Sequence, residues 1–503
     1  MLFEMKPMIK KNTSLAILPL LLGLSGHAAN PVIIKKITFD QAREITWQNS
    51  HVLKQVDYLQ LQKDQERRAA RGLYYPTVGI NANAMLMSDP VTLDLTPVKD
   101  AITPLYKTLG TYGKFGDIPG VPDEVATQMI RQKMLAGLTE IEGQDWNQVI
   151  QKKAFGVIAA TMSWPLYAGG KIRAANKAAS INQLDVVEIS RQKQGELMSE
   201  LVERYYGLCL AQQVVTVRRE VYKGLEQHLD DASKLEKEGM ISNADVLHAK
   251  VYHAQASREL TRSLQQTDIV RQALGGTMAI GDTINIETLS NLFYLDSIEP
   301  EAYFIHFAAT KNPLLNQIES KKQLSVQAYN ALRADFLPAV AMQGTYDIVN
   351  KDLSNYVPDW EIGIGLKWTL FNGVSRFAKV KAASIQTKEV EEYGRKAQTD
   401  VTSMINKLYH ELNMYRDQLT ELATAREFAE EYLRARETEF HQEMTNSTQV
   451  IDARLALAQV KTERLQVMFN YDVTLAKLLE YAGVPADFSS YSTRTNVKTE
   501  SYQ

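Results

Sequence analysis

Histidine, cysteine and paired carboxylates are the side chains that most often carry catalysis or hold a metal, and their spacing here matches no such site. His228, His248 and His253 lack the spacing of metal ligands, and the sequence contains no HExxH, Walker or Rossmann motif. Cys209 is the only cysteine and falls within a helical pattern, so we expect a small buried hydrophobe rather than a nucleophile. The sequence therefore predicts no enzyme, no bound metal and no cofactor.

The composition is that of a folded chain without a nucleic-acid signal. The 503 residues carry a formal net charge of −3, and 45% of them are hydrophobic, which allows a large core and argues against wholesale disorder. Charged residues are spread without long runs of one sign, so we expect no nucleic acid among the partners.

The N-terminus has the order of a secretory signal peptide: lysines, an apolar run over 15–24, then small residues. We expect cleavage near Ala28 or Ala29, and Met8 would begin a cleaner signal than Met1. A membrane anchor is the alternative, but the run is too short, because about 20 apolar residues are needed to cross a bilayer. No cysteine near the cleavage point is available for lipid attachment, so the sequence predicts an exported, unlipidated chain.

An internal repeat organises the rest of the chain. Residues 53–76 match 315–338 at an offset of 262, and Trp164-Pro-Leu-Tyr matches Trp368-Thr-Leu-Phe at an offset of 204 that persists for more than a hundred residues. Each half therefore predicts helix, strand, loop, strand, long helix, turn and long helix. The predicted segments are a signal peptide (1–28), a first repeat (29–276) with a long loop (88–152), a linker (277–299), a second repeat (300–485) and a polar C-terminal tail (486–503).

Two periodicities define the elements. Apolar residues alternate with polar ones over three segments, which predicts strands near 75–87, 338–349 and 360–371. A further strand is predicted near 153–167 because the repeat demands it, although Phe155 and Val157 interrupt the alternation there. Stripes at three- and four-residue steps predict helices of roughly 60 residues, or about 90 Å at the rise of an α-helix. Such stripes alone would favour an ordinary coiled-coil protein, but the strands and the signal peptide favour another class.

The strands suggest how the chain could cross a membrane. Beyond the signal no run of 18 apolar residues remains, so hydropathy excludes a spanning helix and leaves strands as the means. A spanning sheet must close on itself, and a barrel needs at least about eight strands. Because one chain supplies four, the sequence predicts an oligomer that shares one barrel.

Several motifs resemble those of the TolC-like outer-membrane efflux proteins. The segment 235–249, LEKEGMISNADVLHA, is similar to that family's turn between long helices. Tyr75-Pro76 at a strand start, Trp164-Pro-Leu-Tyr-Ala-Gly-Gly at a hairpin end and Trp368-Thr-Leu-Phe-Asn-Gly before a long helix also resemble its signatures. The resemblance covers most of the mature chain.

This resemblance implies an α+β membrane protein that acts as an exit duct of tripartite efflux or type I secretion. It implies a homotrimer whose 12-stranded β-barrel, with four strands per protomer, lies in outer-membrane lipid and continues as a long α-helical barrel in the periplasm. A periplasmic adaptor (membrane fusion) protein and an inner-membrane transporter are the implied partners, and the pump would choose the cargo. The loop 88–152 would face outside the cell, with a helix expected over 123–142.

The turns between the long helices would lie at the periplasmic tips, where the resemblance places adaptor docking. The docking candidates are Gly239, Met240, Ile241, Ser242, Met444 and Thr445, from turns at 239–243 and 443–447. Their alternative role is helix capping, with Gly239 at positive φ and Ser242 or Asn243 capping the next helix. Capping is compatible with docking.

The resemblance also gives candidates for a periplasmic gate. Asp452 aligns with one acidic position that rings the closed entrance, and Gln449 stands where another family member carries aspartate. Asp245 aligns with a residue that bonds a gating tyrosine, but the matching position here is Phe440, which lacks the hydroxyl. The alternative for both aspartates is a solvated charge on a helix face.

Trp164 and Trp368 occupy equivalent strand ends, where indoles suit a membrane interface, although packing against the helix junction is an equal alternative. The competing function is a periplasmic adaptor or structural protein of helical hairpins without a membrane barrel.

Overall fold

The computed structural model describes residues 33–281, 284–442 and 444–502. The predicted signal peptide, its cleavage point and the alternative start at Met8 lie outside the described residues, as does Glu443 at the second tip. Among the described residues, no helix carries an apolar segment long enough to cross a bilayer.

The first repeat begins with short elements and ends in a long helical hairpin. Its elements are β1 (Ile33–Ile37), α1 (Phe39–Asn49), α2 (His51–Gly72), β2 (Thr77–Leu86), β3 (Val91–Asp94), α3 (Thr96–Tyr112), α4 (Asp123–Gly143), β4 (Asn147–Gln151), β5 (Ala154–Ala168), α5 (Lys171–Lys237) and α6 (Asn243–Thr277). The helix predicted over 123–142 is α4, and the rest of the long loop holds α3 and the antiparallel pair β3–β4.

The second repeat has the same order without the long insertion. Its elements, with those that flank it, are β6 (Ile284–Thr288), β7 (Leu292–Leu295), α7 (Glu301–Lys311), α8 (Pro313–Arg333), β8 (Ala339–Lys351), β9 (Trp360–Lys367), α9 (Ser375–His441), α10 (Ser447–Ala482), α11 (Phe488–Tyr491) and β10 (Val497–Glu500). Helix α5 begins and ends 204 residues before α9 begins and ends, and α6 begins 204 residues before α10. The repeat predicted from sequence is therefore a repeat of structure.

The long helices exceed the predicted length slightly. Both α5 and α9 have 67 residues, which corresponds to about 100 Å. Within each hairpin α5 packs on α6 and α9 on α10, while α5 also packs on α10 and joins the two hairpins. Helix α2 packs on α5 and α8 on both α5 and α9, so the repeats interlock.

The four predicted strands form one antiparallel sheet in the order β2–β5–β8–β9. The fourth strand ends at Lys367, short of the predicted 371. Lys367 pairs with Ala339, the first residue of β8. Ala339 is preceded by Pro338, which has no N–H to donate to a further residue of β9. Trp368 and Leu370 therefore lie beyond the strand despite continuing its alternation.

A compact domain surrounds the middle of the long helices and includes chain segments predicted as linker and tail. Strand β1 pairs with β6, and β7 pairs with β10, so both 277–299 and 486–503 contribute strands. Phe488 is fully buried, with its ring 5.3 Å from that of Phe39 and 5.7 Å from that of Phe293. The C-terminal segment folds back because its apolar residues complete this core, and Glu500 forms a buried ion pair with Arg464.

Candidate functional site

The tip between α5 and α6 is built by backbone geometry and capping. Gly239 has φ of 79°, and its N–H donates to the Glu236 carbonyl at 2.9 Å while the Met240 N–H donates to the Leu235 carbonyl at 2.9 Å. This is the Schellman arrangement that ends a helix at a left-handed residue. The turn is therefore fixed by glycine and leaves Met240 exposed.

The start of α6 has a capping box. The Ser242 hydroxyl accepts from the Asp245 N–H at 3.3 Å, and the Asp245 carboxylate accepts from the Ser242 N–H at 3.3 Å and from its hydroxyl at 2.6 Å. Ser242, rather than Asn243, is the cap. The carboxylate of Asp245, one of the predicted gate residues, is thus engaged within its own turn.

The second tip repeats this construction with other residues. The Met444 N–H donates to the Glu439 carbonyl at 2.8 Å, the bond equivalent to that of Met240. Asn446 caps α10 and accepts from the Gln449 N–H at 3.1 Å, and the Thr445 hydroxyl donates to Gln449 Oε1 at 2.7 Å. Gln449 therefore occupies the position in α10 that Asp245 holds in α6.

The gate candidates divide into exposed and buried side chains. Asp452 is exposed on α10, whereas Phe440 is 3% exposed on α9 and packs with Ala232, Val246 and Val450. The structure therefore places Asp245 in a helix cap and Phe440, which has no hydroxyl to donate to it, in a small core.

One polar contact beside this core was missed by sequence reasoning. His228 of α5 is buried, and its Nε2 lies 2.6 Å from the hydroxyl of Ser447, the first residue of α10. Burial, with the positive charge of Arg454, lowers the pKa of His228 to about 4. The two residues are 219 positions apart and belong to non-equivalent positions of the two repeats, so no local pattern in the chain could have paired them.

The four-stranded sheet has two chemically distinct faces. Across the sheet, Val78, Met162, Gly344 and Ile362 form one paired row, and Thr77, Ser163, Gln343 and Gly363 form the adjacent row on the opposite face. The apolar face continues through strongly exposed side chains: Ile80, Leu86, Trp360, Ile364 and Leu366. Within the described residues, β2 and β9 each pair on one side only, so both edges of the sheet are open.

The two tryptophans make equivalent contacts at the sheet–helix junction. The Trp164 indole N–H donates to the Tyr74 carbonyl at 2.9 Å, and that of Trp368 donates to the Phe336 carbonyl at 3.1 Å. The Trp164 indole thus ties the end of β5 to the turn before β2, and the Trp368 indole ties the residue after β9 to the turn before β8. Both remain partly accessible, with 36% and 55% of their surface exposed.

The part of the chain that the structure describes holds no group of three or more histidine, cysteine or acidic side chains able to bind a metal. Cys209 is buried, as expected for a small hydrophobe, and burial raises the pKa of its thiol to about 12. A reactive thiolate at neutral pH is therefore disfavoured at this position.

The amphipathic sheet continued by helices of about 100 Å is a fold that several solved structures share. The chain superposes on the outer-membrane channel OprN with a TM-score of 0.67, 14% identity and coverage of 89% of this chain and 90% of that one. A membrane protein from Pseudomonas aeruginosa superposes with a TM-score of 0.68 and 14% identity, covering 90% of this chain and 91% of that one. The CmeC channel of Campylobacter jejuni superposes with a TM-score of 0.66 and 11% identity, covering 96% of this chain and 98% of that one. None of the curated proteins matches the sequence.

The family model for outer membrane efflux proteins matches residues 152–278 and 304–484, one segment in each repeat. These segments span more than half of the chain, and the chain belongs to the outer membrane efflux protein family. The predicted family, the α+β fold with two repeats, the outer-membrane location with a periplasmic helical part and the role as an efflux exit duct are confirmed. The competing function of a hairpin adaptor without a membrane barrel is disfavoured.

Proposed function

We propose that three copies of the chain assemble into one channel, with four strands from each protomer closing a 12-stranded barrel in the outer membrane. The long hairpins continue this barrel as a helical tunnel in the periplasm. Solutes handed over by an inner-membrane transporter and a periplasmic adaptor pass through the tunnel to the exterior. The chain conducts these solutes and catalyses no reaction.

The observation that carries this proposal is the sheet with one apolar face and two open edges. Unpaired edge groups in hydrocarbon cost several kcal/mol each, so a sheet facing lipid has to be closed by pairing with further strands. Two copies would give eight strands, which side chains fill, whereas three leave room for an aqueous lumen. The apolar row through Val78 and Ile362 then faces lipid and the row through Thr77 and Gln343 faces the lumen.

Adaptor docking is proposed at the two tips. Met240 is 49% exposed and Met444 is 73% exposed, and the two lie at equivalent positions of the repeat. Flexible apolar side chains held out by rigid turns suit an adaptable contact with a protein partner. Gly239, Ile241, Ser242 and Thr445 shape these turns and complete the proposed docking surface.

Asp452 is proposed to contribute to the entrance of the tunnel. Three symmetry-related copies of an exposed carboxylate around a narrow opening would concentrate negative potential and favour cations. Gln449, one turn before it on the same helix, adds no charge, so this entrance would carry fewer charges than one with aspartate at both positions. Asp245 and Phe440 support the gate through the rigidity of the tips.

The loop 88–152 and the two tryptophans are placed by the same orientation, in which the long hairpins extend into the periplasm. The loop 88–152, with its two helices, would face outside the cell, where barrel loops are the longer ones. Trp164 and Trp368 would lie at the periplasmic membrane interface, with their indole N–H groups already satisfied by the Tyr74 and Phe336 carbonyls.

Outer-membrane fractionation followed by native mass spectrometry of the detergent-extracted protein tests the assembly. We expect the protein in the outer-membrane fraction, with heat-modifiable migration and a mass of three chains. A soluble periplasmic monomer would contradict the proposal and revive the hairpin adaptor.

A further inference from the structure

The two hairpin tips of one chain meet in a small core to which all four long helices contribute. Ala232 of α5, Val246 of α6, Phe440 of α9 and Val450 of α10 are each at most 5% exposed and pack together. The main core begins close to it, at Ala249 and Ile451, and Leu229 packs against both cores. Separation of the two hairpins at their tips would expose the small core.

A buried hydrogen bond crosses between the hairpins beside this core. The His228 ring packs at a tilt of 52° against that of Phe440, with 4.7 Å between centroids, and its Nε2 contacts the Ser447 hydroxyl at 2.6 Å. Ser447 is 1% exposed and begins α10. His228 therefore touches both helices of the second hairpin while belonging to the first.

A second contact lies one helical turn further from the tip. Arg454 of α10 rests directly against Gly224 of α5, where a Cβ atom would overlap its guanidinium group. The guanidinium pairs with Glu437 of α9, so the residue bridges three helices. Because Gly224 and His228 are four residues apart, they present adjacent positions on one face of α5.

The charges around His228 come from all four helices. They are Arg454 on α10, Asp231 on α5, His441 on α9 and His248 on α6. Arg454 and the two histidines disfavour a further positive charge, and Asp231 favours one. Burial is the largest influence, so His228 is neutral in the packed tips at neutral pH.

We propose that His228, Ser447 and Arg454 form a clamp that holds the hairpin tips of each protomer together, and that protonation of His228 in acid releases it. The clamp lies beside Phe440, the position at which the resemblance places a gating tyrosine. Its role in closing the tunnel rests on the proposed function; the clamp itself is a property of the single chain.

The direction of the pH effect follows from proton linkage. A released His228 in water takes up a proton near its ordinary pKa of 6.5, whereas the clamped residue does so only near 4. The clamped state is therefore fully favoured above pH 6.5 and loses its advantage as the pH falls toward 4. From pH 7 to pH 5 the ratio of released to clamped tips should rise about 20-fold.

Hydrogen exchange of the detergent-extracted protein at pH 7 and pH 5 tests the clamp directly. After correction for the intrinsic pH dependence of exchange, we expect protection of the first turns of α10 to fall about 20-fold at pH 5. His228→Gln, which keeps a hydrogen-bonding side chain but cannot be protonated, should show less than a threefold fall. His253→Gln, a matched variant on α6, should behave like the parent protein.

Equal protection at both pH values in the parent protein, or an undiminished fall in His228→Gln, would overturn the proposal. Gly224→Ala provides an independent variant, because its Cβ displaces Arg454. It should reduce tip protection at pH 7, and unchanged protection would also overturn the clamp. Conductance measured in parallel separates the two proposals: acid-released tips in a protein that forms no pores would refute the channel assembly and leave the clamp standing.

Discussion

Asp472 is the most completely buried acidic side chain in the middle of the molecule. Its surface exposure is 0%, one carboxyl oxygen accepts from the Phe293 N–H at 3.3 Å, and the other has no hydrogen-bond partner among the described residues. Burial raises its pKa well above the usual value for aspartate. In the folded protein the carboxyl group therefore keeps its proton to a higher pH than an exposed aspartate does.

Replacement of Asp472 by asparagine should stabilise the protein at alkaline pH. An acid with a raised pKa contributes most stability below its unfolded pKa, near 3.8, and this contribution falls as the pH rises. Asparagine keeps an oxygen for Phe293 and carries no proton to lose. Apparent unfolding temperatures at equal scan rate should therefore show a variant advantage that is larger at pH 8 than at pH 5, and a pH-independent difference would contradict this account.

The proposed entrance charge can be tested at Asp452 alone. Asp452→Asn removes the charge with little change in shape and should reduce the preference of the open channel for cations, whereas Asp452→Glu should retain it. Reversal potentials across a salt gradient measure this preference. Equal selectivity in all three proteins would place the charge away from the pore.

Single residues were predictable from sequence only where their surroundings are local. Cys209 lies in a helical stripe, and its burial follows from that pattern. Capping by Ser242 follows from its position before Asp245. His228 was recognised only as lacking metal-ligand spacing, because its partner Ser447 is brought near by the packing of two hairpins.

At the scale of elements, the turn at Gly239 and the cap at Ser242 determine where the first hairpin reverses. Loss of a serine cap costs about 1 kcal/mol, which corresponds to about fivefold faster exchange of the amides it protects. Ser242→Ala should therefore accelerate exchange in the first turn of α6, and the adjacent exposed substitution Asn243→Ala should not. The same acceleration in both variants would show that the cap is not what orders this turn.

The elements themselves were largely readable because their periodicities are strong. Period-two alternation predicts three of the four strands, the internal repeat predicts the one at 153–167, and the constant offset of 204 predicts the equal lengths of α5 and α9. The end of β9 was missed because it depends on Pro338, which precedes the neighbouring strand β8. Strand β10 was missed because the C-terminal segment is polar overall. The segment is held in place by the buried ring of Phe488 and by the Glu500–Arg464 ion pair.

In the whole molecule, the proposed barrel requires one face of the sheet to contact lipid and the other to contact the aqueous lumen. Ile364 is 69% exposed on the apolar face, and Gln343 lies on the opposite face of the adjacent strand. An arginine facing lipid near the bilayer midplane costs about 2–4 kcal/mol, and one facing an aqueous lumen costs little. Ile364→Arg should therefore lower the heat stability of the oligomer far more than Gln343→Arg.

Heat-modifiable migration measured across a temperature series gives this comparison. Equal losses from the two substitutions would indicate that the faces are not segregated between lipid and lumen. Loss from Gln343→Arg alone would indicate that the sheet is oriented the other way.

The shared channel is predictable from the sequence because four amphipathic strands cannot close alone. The number of copies is not, since nothing within one chain specifies how many neighbours complete the barrel. In the structure the open edges of β2 and β9 likewise need strands from other copies to pair with.

Single-channel recording in planar bilayers tests most directly whether several copies of the chain form an aqueous pore. Protein purified from the outer membrane should produce discrete conductance steps, as expected of an aqueous pore completed by several chains. Folded oligomer that inserts into the bilayer and passes no current would contradict the account.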